Sequence, residues 1–298
     1  MNISIGLFAH NELDNLTASI KSILRQKLDD NWKIKEIVLV VSGSTDGTDV
    51  LAQKLAEKLP VITLIIEKKR SGKVSAVNKF LRASKSKILI LTNADNSFGP
   101  GCFQHLLDSF KEKEVGMTCG HVIPKNGQDS FFDYASHLQW YLLHKMNLQF
   151  TNHVKAGELV AFRRIFHRIN RAIPFDEASI EGLIRAQGFE IRYIPQAVVY
   201  NWGPDNWVDY MTLRKRNNAG HYVIRDGQGY KVSTMSGLKI FGVFVANFEY
   251  MKPKIWWAIA VIFLEIVARI WAWVDVVILK KQFSRWQRVH SAKKRISV

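Results

Sequence analysis

The chain predicts an α/β protein with a mostly parallel sheet and helices on both faces, and three observations carry that reading. Short, continuous apolar runs recur through the first 120 residues: Ile3 to Ala9, Glu36 to Val41, Val61 to Ile66, Lys87 to Leu91 and Val115 to Cys119. Amphipathic stretches lie between them, and strands that are apolar on both faces and separated by helices imply a buried parallel sheet. Finally, 298 residues with 47% hydrophobic and 23% charged side chains can bury a full core.

The helical stretches are set by three-four spacing. The first carries Leu13, Leu16, Ile20, Ile23 and Leu24, and the second Val50, Leu51, Leu55 and Leu59. Val77, Phe80 and Leu81 mark a third, and Phe103, Leu106, Leu107 and Phe110 a fourth. Residues 130 to 150 form an aromatic helix through Phe131, Tyr134, Leu138, Tyr141, Leu142 and Met146. A helix over 176 to 187, a strand from Ile191 to Tyr200 broken at Pro195, and a basic helix from Tyr210 to Arg225 follow. Residues 226–254 have mixed character around an apolar Ile240 to Phe248 and read as an interface segment.

Residues 255–279 are the last ordered feature, and at 25 residues a helix there is about 37 Å long, enough to cross a bilayer. Glu265, Arg269 and Asp275 interrupt it, with Glu265 and Arg269 an i,i+4 pair in the favourable order. Ala258, Val261, Glu265, Ala268, Ala272, Asp275 and Leu279 form a small, polar stripe. Such a stripe suits helix association inside a membrane, including homo-oligomerisation, or an in-plane helix with its polar side up. The expectation is a transmembrane or membrane-seated helix followed by a basic tail, 280–298.

The formal charge of +16 supports a membrane surface rather than nucleic acid. Ten Lys or Arg against two acids from Met251 onward put half of it in the last 48 residues, beside the apolar segment. No basic face or nucleic-acid motif is evident in residues 1–225. Two cysteines, Cys102 and Cys119, are too few for a disulfide framework and fit a reducing compartment. No secretory signal is visible in the uncharged start of the chain.

The chemistry-bearing segments fall at the carboxyl ends of the predicted strands, where open α/β sheets bind ligands. Ala9-His10-Asn11-Glu12 follows the first, and Ser42-Gly43-Ser44-Thr45-Asp46-Gly47-Thr48 the second. Ser71-Gly72-Lys73 follows the third, and Thr92-Asn93-Ala94-Asp95 ends the fourth; Asp176-Glu177 opens a later helix. An Asp at a strand end suits a hard divalent cation holding a diphosphate. Ser71-Gly72-Lys73 is not a Walker loop, because Glu67 stands where its first Gly belongs and Val74 follows the Lys. Ser44, Asp46 and Thr48 suit helix capping as well as ligand contact, and Glu12 is favoured at a helix start by the dipole alone.

Taken together, these strings resemble the inverting family 2 glycosyltransferases of GT-A fold over residues 1–225. Gly-Ser-Thr-Asp-Gly-Thr and Gly-Lys-Val-Ser-Ala-Val-Asn are the strongest matches. The resemblance implies a GT-A catalytic domain, with Asp95 as ligand to Mg²⁺ or Mn²⁺. Glu177 is implied as general base, with Asp176 beside it as substitute. Ala9, Asn11, Glu12, Ser42, Ser44, Asp46, Lys73 and Asn93 would bind the nucleotide-sugar, with Arg214 or Arg216 clamping diphosphate oxygens. Two positions depart from the pattern: Val41-Ser42 replaces an Asp-Asp or Asp-Asn pair, and Asn93 replaces the first Asp of Asp-x-Asp. No Gln-x-x-Arg-Trp motif of the processive members is present.

The implied activity is transfer of a sugar, with inversion, from a nucleotide-diphosphate donor to a lipid or lipid-linked glycan, with the catalytic domain on the cytoplasmic side of the cell membrane. A sugar-1-phosphate nucleotidyltransferase remains an alternative, although its Gly-rich loop is missing after the first strand. So does a non-catalytic nucleotide-sugar-binding scaffold.

Overall fold

A computed structural model describes residues 1–173, 175–281, 283 and 289–295. The elements run β1 (Asn2–Ala9), α1 (Leu16–Leu24), β2 (Lys33–Ser42), α2 (Thr48–Lys58), β3 (Ile62–Glu67), α3 (Lys73–Ala83), β4 (Ile88–Asn93), β5 (Ser97–Phe98) and α4 (Cys102–Asp108). The second half holds β6 (Val115–Pro124), α5 (Phe131–Gln149), β7 (Val160–Arg163), α6 (Glu177–Ala186), β8 (Glu190–Asn201), α7 (Trp207–Gln228), α8 (Gly237–Ala246), α9 (Phe248–Met251) and α10 (Ile255–Trp273).

One eight-stranded sheet runs in the order β3-β2-β1-β4-β7-β6-β8-β5. Its first four strands are parallel, as the apolar runs predict. The second half is mixed: β7 is antiparallel to both β4 and β6, β8 is parallel to β6, and the two-residue β5 is antiparallel to β8. The mostly parallel expectation therefore holds for one half only. β7, with four residues, and β5, with two, are too short to give a periodic signal and were not foreseen. Pro195 does not break β8; it lies where the β6–β8 register slips, between Gly120↔Ile194 and His121↔Val198.

Strand periodicity divides the core between the two faces. In β1, Ile3, Ile5, Leu7 and Ala9 pack with α1 and α4 on one side, while Phe8 joins α3 and α6 on the other. Gly6 faces that second side because Phe80 fills the place of a side chain; a Cβ there would lie 2.8 Å from its ring. Parallel strands β1 to β4 deliver Ala9, Ser42, Glu67 and Asn93 to one edge, and the site is built there.

A second cluster joins α5, α7, α8 and α10. Here the membrane-span expectation is corrected. Among the described residues no helix is long and apolar enough to cross a membrane, and α10 ends at Trp273 after 19 residues. The small stripe packs inside the protein, with Ala258, Val261, Ala268 and Ala272 buried and Leu279 left exposed. Each charge on it has a partner: Glu265 takes Arg214 at 2.7 Å and Arg269 at 3.0 Å, and Asp275 takes Lys215 at 2.5 Å and Lys281 at 2.7 Å. The face expected to pair with another helix in a membrane is thus occupied by α7 of the same chain.

Candidate active site

Each loop at the carboxyl edge is locked by its own polar side chains. Asn11 adopts a left-handed conformation (φ 54°) that Asn tolerates better than most residues. Its backbone N–H donates to Ser44 Oγ at 3.1 Å, and its Oδ1 accepts from the Thr45 N–H at 2.8 Å. Asp46 accepts from Thr48 N–H (3.0 Å), Thr48 Oγ1 (2.5 Å) and Leu13 N–H (3.2 Å), and these bonds hold its carboxyl below the usual range despite partial burial. Asp46 and Ser44 therefore cross-link the 9–13 and 42–48 loops, whereas α2 starts at Gly47 with no side-chain cap, so the capping expected of Ser44 is not seen. The buried Ala9 carries the chain into this turn, and the Ser42 carbonyl accepts from His10 Nδ1 at 2.7 Å. Gly43 is required: with φ +56°, a Cβ would sit 2.4 Å from the Arg70 nitrogen.

Lys73 opens α3 and organises the centre. Its ammonium lies 2.5 Å from Asn93 Oδ1, 3.2 Å from Asp176 Oδ2 and 3.6 Å from Glu177 Oε1. Asn93 in turn donates from Nδ2 to Glu158 Oε2 at 2.8 Å. Arg216 on α7 is in electrostatic reach of Glu158, Glu177 and Asp176. The carboxylates respond differently. Asp176 is buried but held low by Lys73. Burial, followed by the adjacent Asp176 charge, pushes Glu177 up to about 8. A carboxyl pair with pKa values driven apart is the arrangement of a proton acceptor beside a fixed anion.

Asp95 and Glu12 form the other end. Lys293 Nζ lies 2.5 Å from Asp95 Oδ2 and 2.7 Å from Glu12 Oε1. Asp95 Oδ1 is buried without a hydrogen-bond partner among the described residues. Asp95 also feels the Lys73 charge, which places it in the same field as Asp176 and Glu177. No group of three His, Cys, Asp or Glu forms a cage among the described residues. A lone carboxylate oxygen without a partner fits Mg²⁺ or Mn²⁺ all the same, since such ions take one or two carboxylates and fill the rest of their shell with phosphates and water. Both cysteines are buried and free.

Of the residues singled out from sequence, Arg214 is not gathered here. Its Nε donates to Glu265 Oε2, and the charges that act on it are Glu265 and Tyr210, so it fastens α7 to α10. Arg216, two positions on, points to the carboxylates because a helix turns about 200° over two residues. Glu158 was missed. It precedes β7, and because β7 runs antiparallel to β4 (Leu91↔Val160), its first residues lie where β4 ends. The apolar Leu159-Val160-Ala161-Phe162 was its only signal. Lys293 was read as part of a tail, with nothing in its spacing to place it.

This edge, with two cross-linked loops and two carboxylate centres each held by a lysine, belongs to a GT-A type of α/β protein. Residues 4–169 match the family model for glycosyl transferase family 2, and the chain belongs to that family. Poly-beta-1,6-N-acetyl-D-glucosamine synthase of Staphylococcus aureus is 22% identical over 281 residues; the alignment covers 88% of this chain and 64% of that protein's length. An uncharacterized glycosyltransferase of Nostoc sp. is 28% identical over 136 residues, 46% of this chain and 41% of its own. Among solved structures, the mannosyltransferase PcManGT from Pyrobaculum calidifontis, in complex with GDP-Man and Mn²⁺, superposes with a TM-score of 0.62 at 18% identity. That match covers 95% of this chain and 76% of the other. GalNAc-T7 with UDP, GalNAc and Mn²⁺ gives 0.51 at 16% identity, covering 67% and 42%. These superpositions support the shared fold.

Proposed function

We propose that the protein is an inverting, metal-dependent glycosyltransferase that uses a nucleotide-diphosphate sugar. The observation that carries this reading is the pair of acidic centres at one sheet edge, Asp176 with Glu177 on Lys73 and Asp95 with Glu12 on Lys293. The nucleotide lies along the 9–12 and 42–48 loops. Glu177 takes the proton of the acceptor hydroxyl as its oxygen bonds to the anomeric carbon and the bond to the diphosphate breaks. Asp176 stays ionised and, with Glu158, holds Lys73 and Arg216 in place. Those two cations face the charge that develops on the leaving group. A divalent cation on Asp95 adds further positive charge there when bound. PcManGT and GalNAc-T7 were solved with Mn²⁺, in keeping with the same metal class.

For the acceptor we propose a lipid or lipid-linked glycan met at the cytoplasmic membrane surface. Trp256 (79% exposed), Phe263 (62%) and Ile270 on α10, with Leu238 and Phe241 on α8, present more apolar surface than scattered single residues. Lys239, Lys252 and Lys254 lie on the same two helices or between them, a composition suited to an interfacial seat rather than a span. Flotation with anionic vesicles checks this: the protein rises with the lipid, and Trp256→Glu with Phe263→Glu leaves it at the bottom.

The catalytic test is donor hydrolysis by purified protein with Mn²⁺, across UDP- and GDP-sugars. Activity lost on chelation and in Asp95→Ala is expected. Equal activity in Asp95→Ala removes the metal assignment, and absence of hydrolysis or transfer with any donor favours a binding scaffold.

A further inference from the structure

The Lys293 contact unites a remote segment with the metal-binding end of the site. Residues 289–295 have a seat of their own on the start of α7 and the loop before it. Val289 is buried, the Ser291 N–H donates to Asp209 Oδ2 at 2.6 Å, and the Asp205 N–H donates to Ser291 Oγ at 3.3 Å. Lys294 Nζ lies 2.6 Å from Asp205 Oδ2 and 5.3 Å from the centre of the Trp202 ring. From this seat Lys293 reaches in, its side chain three-quarters buried, and places one positive charge between Asp95 and Glu12. Both acids are thereby engaged by an ammonium ion; of their oxygens, only Asp95 Oδ1 is left without a hydrogen bond among the described residues.

We propose that the 289–295 segment is a tethered competitor for the divalent cation, with Lys293 holding the Glu12–Asp95 pair until metal displaces it. The inference rests on Asp95 as metal ligand. Two cations cannot share one carboxylate at this range without strong repulsion, because burial strengthens the interaction between them. Displacement costs the Lys293 pairs but leaves the Ser291 and Lys294 anchors, so the segment has a defined place to return to. The free enzyme is then held in a low-affinity state, and its apparent metal affinity falls with the fraction of molecules whose site is open.

The test uses the full chain and Mn²⁺ alone, with free Mn²⁺ followed by electron paramagnetic resonance. With the plug seated in about nine-tenths of molecules, Lys293→Ala raises Mn²⁺ affinity about tenfold. Asp205→Asn, which loosens the seat and keeps Lys293, raises it in the same direction, while Lys293→Arg stays near wild type. Mn²⁺ also speeds tryptic cleavage after Lys293 in the wild type as its side chain leaves the Glu12–Asp95 pair. Equal Mn²⁺ affinity in wild type and both loosened variants overturns the proposal. So does loss of binding in Lys293→Ala, which would make Lys293 a support of the site. Absence of Mn²⁺ binding in every protein overturns the metal assignment and the competitor with it.

Discussion

Lys73 Nζ and Asp176 Oδ2 lie 3.2 Å apart, a contact that joins the parallel half of the sheet to the helix after the antiparallel half. The pair holds the ammonium between Asn93 and Glu177, so one side chain ties the end of β4 to the start of α6. Lys73→Ala is expected to lower kcat/KM for the donor about 100-fold or more, as for the loss of one preorganised charge donor. It also removes a charge that lowers the Glu177 pKa, so the acid limb of the pH profile should move to higher pH. An unmoved limb separates Lys73 from the base.

Glu177, pushed up to about 8, must lose its proton to act as base. In the free enzyme kcat/KM should therefore climb with pH up to about 8 and level off above it. Glu177→Gln should lose about 10²- to 10⁴-fold in transfer while still binding nucleotide with Mn²⁺. Asp176→Asn should reduce activity less and lower the apparent pKa of Glu177, since it removes a neighbouring negative charge.

The Glu265 cluster is structural and gives a stability prediction. Burial acts against the charged form, but Arg214 and Arg269 outweigh it and hold Glu265 down at about 2. A depressed carboxyl pKa stabilises the fold above its unfolded value near 4.5, and the contribution is lost as pH falls toward 2. Acid unfolding followed by near-ultraviolet circular dichroism should show a transition in that window. Glu265→Ala leaves Arg214 buried without its partner and should cost about 3–5 kcal/mol at neutral pH. In Glu265→Ala the loss in that acid window should shrink.

Gly220 on α7 lets the helix approach the residue before the acidic pair. A Cβ there would lie 2.0 Å from Phe175 Cε2. Gly220→Ala should cost about 1–3 kcal/mol through overpacking. Because Phe175 is followed directly by Asp176, kcat should fall as well; unchanged kcat in a destabilised variant would confine Gly220 to packing.

Much of the fold was legible because its signals are local. Apolar runs from Ile3 to Leu91 at helix-length intervals specify a parallel layer, and its carboxyl edge follows from connection geometry alone. That Asn11, Ser44, Asp46, Lys73, Asn93, Asp95 and Asp176-Glu177 lie at that edge follows from their place after a strand or at a helix start. β7 escaped notice for want of length, and Glu158 went with it. The 255–279 segment misled as to a bilayer span, because its small, polar stripe did not reveal that α7 covers it.

From sequence alone one can read which side chains arrive at the edge of the sheet, since a strand's end and a helix's start are written in a few neighbouring residues. Which charges meet there was decided in three dimensions. Arg214 turned to α10 and Arg216 to Glu158 because the pitch of one helix separates them, while Lys293 reached Asp95 across 198 positions of chain. Ion pairs of that range depend on packing between distant elements, and no periodicity in the sequence encodes them.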